Sequence, residues 1–251
     1  MLEKEDAELF AAKLAGATAR VVEDYADGDV VHEEPFSDQL CGRLKETLQD
    51  FQTPNVRWQV NVAVGGEDAG RLRMRSLTKH KEEPRFGADL VMVLDLKLRG
   101  YSVRKGLLAQ SKKLEVGDRM SPAEWRRLRG QCEAMIDVTP ASMVLLYSTS
   151  GVMPVSAAAV LAYDHRDLHR LVRYDMDIFY KDFAICWLGD PLIKATDSAA
   201  LEALRILADA RAAVRFAGVP REDDTPERAP DQPSTPRPGR TRPRRRILGM
   251  D

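Results

Sequence analysis

The sequence predicts an α/β protein, and three observations carry that expectation. Short apolar runs bounded by glycine and charge, Leu90-Val91-Met92-Val93-Leu94 and Ser142-Met143-Val144-Leu145-Leu146-Tyr147, read as buried strands. Between and around them lie segments with apolar residues three and four apart, the spacing of amphipathic helices. From about Pro220 onward apolar residues and periodicity vanish, which marks a tail that buries too little surface to fold. The expected organisation is one α/β domain over residues 1–218 and a disordered Pro/Arg-rich tail over residues 219–251.

Taken in order, residues 5–24 read as a helix with Leu9, Phe10, Leu14, Ala17, Val21 and Val22 on one broad face. Asp27-Gly28-Asp29 breaks it. A second helix follows over 37–51, capped by Ser37, with Leu40, Leu44 and Leu48 as its buried stripe. Val56, Trp58, Val60, Val62 and Val64 alternate with polar residues, the pattern of a half-buried strand, and residues 71–77 offer a partner strand across the following glycines. Ser121-Pro122-Ala123-Glu124 places a cap, a first-turn proline and a third-position acid in succession, so a helix is expected over 122–137. Residues 152–161 lead as a short helix into Asp164. His165 and His169 are four apart on an expected helix but lack a third metal ligand of matching spacing, so they read as helix-surface residues. Leu171, Tyr174, Ile178, Phe179, Phe183 and Trp187 form a stripe read as core or dimer packing. A last helix is expected over 197–216, with Ala208, Ala212 and Ala213 as a small-residue packing face.

Composition narrows the functional classes. Apolar residues make up 44% of 251, enough for a sizeable core, and the net charge of −1 gives no global signal for nucleic acid. Arg237, Arg240, Arg242, Arg244, Arg245 and Arg246 cluster in the tail, where they serve either phosphate contact or solubility. Cys41, Cys132 and Cys186 are odd in number and far apart, which fits buried thiols in a reducing compartment. The charged N-terminus does not read as a signal peptide, and no apolar run approaches membrane-spanning length. A soluble, cytoplasmic protein is expected.

The stretch 83–113 carries the chemistry. Gly87-Ala88-Asp89 precedes the strand at 90–96, Arg99-Gly100-Tyr101 reads as a bend, and a second strand runs over 106–112. An antiparallel hairpin bending at Gly100 brings Asp89 beside Gln110 and Lys112, which are two apart and leave the same face of their strand. One carboxylate, one amide oxygen and one ammonium then surround a single point at the sheet end.

Gly87-Ala88-Asp89, the apolar strand after it and Gln110-Ser111-Lys112 together resemble the PD-(D/E)xK, or restriction-endonuclease-like, nuclease superfamily. The likeness is to the Mrr-like bacterial variant in which Gln replaces the second acid. It implies a central mixed β-sheet flanked by helices, built from strands near 56–64, 90–96, 106–112 and 142–147. It also implies a phosphodiesterase using Mg²⁺ or Mn²⁺, with Asp89 and Gln110 on the metal and Lys112 as the lysine of the motif. Because Gln110 removes a negative charge, another carboxylate is expected to complete the site. The resemblance assigns that role to Glu34, ahead of the second helix, with Glu83 the alternative. Gln131 matches the position from which a following helix presents a Gln in some of these nucleases, but the match is partial and a plain surface Gln is the favoured reading.

What the resemblance implies for function is an endonuclease hydrolysing DNA, in the manner of restriction or anti-phage defence. No separate sequence-reading domain, zinc module or ATPase motif is evident, so specificity is expected from a partner protein or from homo-oligomerisation. The alternative is a nuclease-fold protein without catalysis that binds nucleic acid or protein.

Overall fold

A computed structural model of the chain describes residues 2–27, 33–65, 87–172 and 174–221, with residues 33–35 described as backbone alone. The compact unit spans Met1–Arg221. The arginine cluster and the rest of the expected tail beyond Arg221, the expected strand at 71–77 and Glu83 all lie outside the described residues.

Helices α1 (Lys4–Ala26) and α2 (Glu33–Thr47) precede strand β1 (Val56–Val64). The hairpin β2 (Leu90–Leu98) and β3 (Tyr101–Lys113) follows, then α3 (Pro122–Val138), β4 (Ser142–Ser148), β5 (Gly151–Ser156) and α4 (Ala157–Ala162). After a 3-10 turn at Leu168–Arg170 come α5 (Met176–Ala184), α6 (Ser198–Leu207) and β6 (Ala212–Pro220). The strands form a six-stranded mixed sheet in the order β1-β6-β2-β3-β4-β5, in which β6 lies parallel to β2 and β4 parallel to β3. The remaining neighbours are antiparallel.

Alternation along the strands divides the core in two. Met92, Leu94, Ala109, Leu145, Tyr147 and Phe216 face α1, α2 and α5, whose Phe10, Leu14, Leu40, Leu44 and Phe183 cover them. Val91, Val93, Leu108, Val144 and Leu146 face the other way, against Leu128 and Cys132 of α3, Val160 of α4 and Leu201 of α6. Among the described residues no helix is long and apolar enough to cross a membrane.

Several expectations are corrected by this arrangement. The helix expected over 197–216 ends at Leu207, because Asp209 turns the backbone left-handed (φ 49°). Ala212 and Ala213 then belong to β6, a strand flanked by β1 and β2 and buried on both faces. Helix propensity there yields to tertiary pairing, which favours small side chains where two covered faces crowd the backbone. The aromatic stripe also splits. Phe179 and Phe183 are core residues of α5, Leu171 and Tyr174 lie outside that helix, and Trp187 is 83% exposed. His165 is in a loop and His169 in the 3-10 turn, with Nε2 of His169 3.0 Å from the Leu114 carbonyl. Val152 is a residue of β5, and Leu9 is exposed at the margin of the expected face of α1.

Charged side chains are buried in the sheet itself. Asp95, 1% exposed, accepts from Arg104 at 2.9 Å and from the Arg215 guanidinium, whose Nη1 also donates to Asn61 at 2.7 Å. That network ties β1, β6, β2 and β3 together in register, since each partner belongs to a different strand. Lys105, 2% exposed, donates to the Leu188 carbonyl and stands 4.9 Å from the centre of the Phe183 ring. Burial pulls its pKa from the ordinary 10.5 down to about 8. The unfolded chain therefore binds more protons between about pH 8 and 10.5, so stability rises with pH across that window. Chemical denaturation as a function of pH should show wild type gaining stability relative to Lys105→Met over that range, with parallel curves at lower pH.

Candidate functional site

The site begins with a glycine whose place leaves no room for a side chain. Gly87 has φ +65°, and a Cβ there would stand 2.8 Å from both Cα and the carbonyl oxygen of Gln131. The chain enters β2 by passing directly against the backbone of α3. That helix is held at its start by a reciprocal cap, with Ser121 Oγ accepting from the Glu124 amide and Glu124 Oε2 accepting from the Ser121 amide. Hydrogen bonds from Ser121 hold the Glu124 carboxyl below its ordinary pKa, and the Lys112 charge adds to the effect.

Asp89 follows two residues later, with its backbone clamped on both sides. Its amide donates to the Ala109 carbonyl at 2.9 Å and its carbonyl accepts from Ala212 at 3.0 Å. Pairing of Leu90 with Ala109 across the hairpin sets Gln110 opposite Asp89. The Asp89 carboxylate accepts from the Ser111 amide at 2.9 Å and from Nε2 of Gln110, which also donates to the Ser111 carbonyl at 3.1 Å. Gln110 is 2% exposed and Lys112 is 7% exposed, and alternation along β3 turns both toward the face covered by α3. Ser111 faces the opposite side, where its hydroxyl lies 3.0 Å from that of Ser37 on α2.

The structure thus brings Asp89, Gln110 and Lys112 to one sheet end, with Gln131 beside Gly87. Glu34 lies in the first turn of α2, one turn before Ser37, and its side chain is outside the described residues, as is all of Glu83. Beyond Lys112 a cavity of about 290 Å³ opens between the end of β3 and the start of α3, lined among others by Lys113, Glu115, Arg119, Glu124 and Arg127. Cys132, next to Gln131, is inert packing, since burial pushes its thiol up to about 12.

Fit to a hard cation rests on unsatisfied oxygen. Oε1 of Gln110 and Oε1 of Gln131 are both buried without a hydrogen-bond partner among the described residues. A buried amide oxygen left in that state is costly, and such groups mark sites whose partner is an ion or water. Nε2 of Gln110 faces the Asp89 carboxylate and the Ser111 carbonyl, so with the Gln110 amide turned over, Asp89, Oε1 of Gln110 and the Ser111 carbonyl would offer the oxygen-only donor set that Mg²⁺ or Mn²⁺ prefers. Among the described residues no group of three or more His, Cys, Asp or Glu is placed to hold a metal, so the amide and carbonyl oxygens are integral to this fit.

Two features escaped the sequence reading. The contact of Gly87 with Gln131 depends on the path of α3 and leaves only the glycine itself as a signal. The Asp95 network had a visible sign: single charges inside apolar strands, Leu94-Asp95-Leu96 and Val214-Arg215-Phe216, of the kind that pair when buried.

No family model matches the chain, and neither the curated proteins nor the solved structures contain a match.

Urea unfolding separates the special glycine from ordinary ones. Gly87→Ala should lose about 1–3 kcal/mol or more through crowding and left-handed strain. Gly16→Ala, in a helix interior with nothing within 4 Å of the added Cβ, should gain up to about 1 kcal/mol.

Proposed function

We propose that the chain is a Mg²⁺- or Mn²⁺-dependent endonuclease of restriction-endonuclease-like fold that hydrolyses phosphodiester bonds of DNA. The observation that carries this reading is the meeting of Asp89, Gln110 and Lys112 on one face at one end of the sheet, where the Gln110 amide bonds the Asp89 carboxylate. The order of elements supports it too: an antiparallel hairpin bears the three residues, and α3 crosses from β3 to a parallel β4.

In this reading Asp89, Gln110 and the Ser111 carbonyl hold the cation, and Glu34 or Glu83 completes the charge. When bound, the cation would polarise the phosphate and make water a better nucleophile at neutral pH. Lys112 has the protein's own part in the reaction. Its ammonium offsets charge that builds on the phosphoryl oxygens, and its donors orient the attacking water. The Ser111 amide keeps the Asp89 carboxylate aimed by holding one oxygen in place. Service in restriction or phage defence, with a partner protein or a second copy giving specificity, is the biological setting the sequence resemblance favours.

One observation favours the alternative of a binding subunit without catalysis. The Gln110 amide nitrogen already supplies the Asp89 carboxylate with a donor, so the pair is stable without a cation.

Plasmid cleavage in Mg²⁺ and Mn²⁺ decides between them. Wild type should nick or linearise DNA, and Asp89→Ala and Lys112→Ala should each slow cleavage by about 100-fold or more. Tight DNA binding with no cleavage in either metal would establish the alternative. Gln110→Glu offers a second check by thermal unfolding. Two adjacent carboxylates should lower stability in metal-free buffer, and Mg²⁺ should raise the melting temperature of this variant more than that of wild type.

A further inference from the structure

We infer that the cavity past Lys112 seats a backbone phosphate of the DNA strand, next along from the bond at the Asp89 cluster, and that Arg119 and Arg127 hold it. The identity of the strand rests on the nuclease reading above. The cavity of about 290 Å³ lies between the end of β3 and the start of α3, and its walls are fixed. The loop from β3 to α3 is pinned at one end by the Leu114 amide, which donates to the Tyr147 carbonyl at 3.1 Å. At the other end the Met120 amide donates to the Arg166 carbonyl at 3.1 Å, and Nη1 of Arg166 donates back to the Met120 carbonyl at 3.1 Å. Leu114 and Met120 are both buried, so Arg119 projects from a backbone held on either side.

The charges around the cavity are unevenly committed. Glu115 accepts from the Tyr25 hydroxyl at 3.0 Å and from the amide and hydroxyl of Thr149 at 3.1 and 2.9 Å. Glu124 is the carboxylate of the α3 cap. Arg119 and Arg127 are exposed, and among the described residues their guanidinium groups have no hydrogen-bond or ion-pair partner. Asp118, also exposed, is the remaining acid, and with Lys112 and Lys113 added to the arginines the lining is net positive. A guanidinium presents paired donors in a planar fork that fits two phosphate oxygens. No aromatic ring lines the cavity among the described residues, so nothing there stacks a base. Contacts of this kind fix the position of a strand and leave its sequence unread.

Placement ties the cavity to the cluster. Lys112 belongs to both. Arg127 and Gln131 are four residues apart and leave the same side of α3, about 6 Å from one another along its axis. Gln131 abuts Gly87, two residues before Asp89. A strand with one phosphate at the Asp89 cluster therefore continues along this side of α3 toward Arg127 and the cavity.

Fluorescence anisotropy of a labelled DNA duplex with the full chain, in EDTA and over a series of NaCl concentrations, tests the proposal. Arg119→Gln and Arg127→Gln should each weaken binding several-fold and lower the slope of log affinity against log salt by about 1, equally on two unrelated sequences. Arg126→Gln, which removes an exposed charge of the same helix outside the cavity, should leave the slope unchanged. A second readout needs no variant: phenylglyoxal modification of wild type, mapped by mass spectrometry, should be slowed by the duplex at Arg119 and Arg127. Inorganic phosphate at the same ionic strength should not protect them. Absence of binding, slope losses no greater than that of Arg126→Gln, or equal modification with and without DNA would overturn the proposal. Protection by inorganic phosphate as strong as by DNA would overturn it too, by assigning the cavity to a free anion. Because both readouts omit divalent cations, slope loss and protection in a chain that never cleaves would refute the nuclease and keep the phosphate seat. Cleavage with unchanged slopes would refute the seat alone.

Discussion

The candidate site depends on the register of one hairpin. Leu90 pairs with Ala109, and the turn that enforces this is as short as a hairpin allows, with Arg99 and Gly100 between Leu98 and Tyr101. Gly100 takes φ +68°, which glycine adopts without cost and β-branched or bulky residues do not. Because strand side chains alternate, a slip of one residue would send Gln110 and Lys112 to the opposite face, among the aromatic side chains under α1 and α2. The apolar sets on the two faces of β2 and β3 prevent that slip. The same burial that stabilises the sheet therefore positions the polar cluster at its end.

That polar cluster is arranged as a chain of mutual constraint. The carboxylate of Asp89 is steadied by the Ser111 amide, and the Ser111 side chain reaches through to Ser37 on the other face. In this way α2 and α3, on opposite sides of the sheet, both bear on one short stretch of β3. At the far end of the same strands Asp95, Arg104, Arg215 and Asn61 form a second buried polar group, which Arg215 also ties to the Ala195 carbonyl. The contrast between the two is informative. The Asp95 group uses both of its carboxylate oxygens on guanidinium donors, whereas beside Asp89 the amide oxygens of Gln110 and Gln131 have no partner among the described residues.

How far this was legible in the sequence varies by residue. The strands at β2 and β4 were plain because long apolar runs between glycine and charge admit few other readings, and α3 announced itself by its capping residues. The convergence of Asp89, Gln110 and Lys112 followed from counting residues about Gly100. By contrast β6 was hidden, since Ala212-Ala213-Val214 carries helix-forming alanine where only the pairing with β1 and β2 calls for a strand. The spacing of His165 and His169 suggested a helix that the chain does not form. The carboxylate that would complete the site, at Glu34 or Glu83, falls outside the described side chains.

The most direct test of the central claim is anomalous diffraction from crystals of the protein grown with Mn²⁺. The account predicts one peak about 2.1–2.2 Å from an Asp89 carboxylate oxygen and from Oε1 of Gln110, with the Gln110 amide turned so that its oxygen faces the ion. A Gln110 nitrogen still bonded to Asp89, with no anomalous peak between them at saturating Mn²⁺, would contradict it.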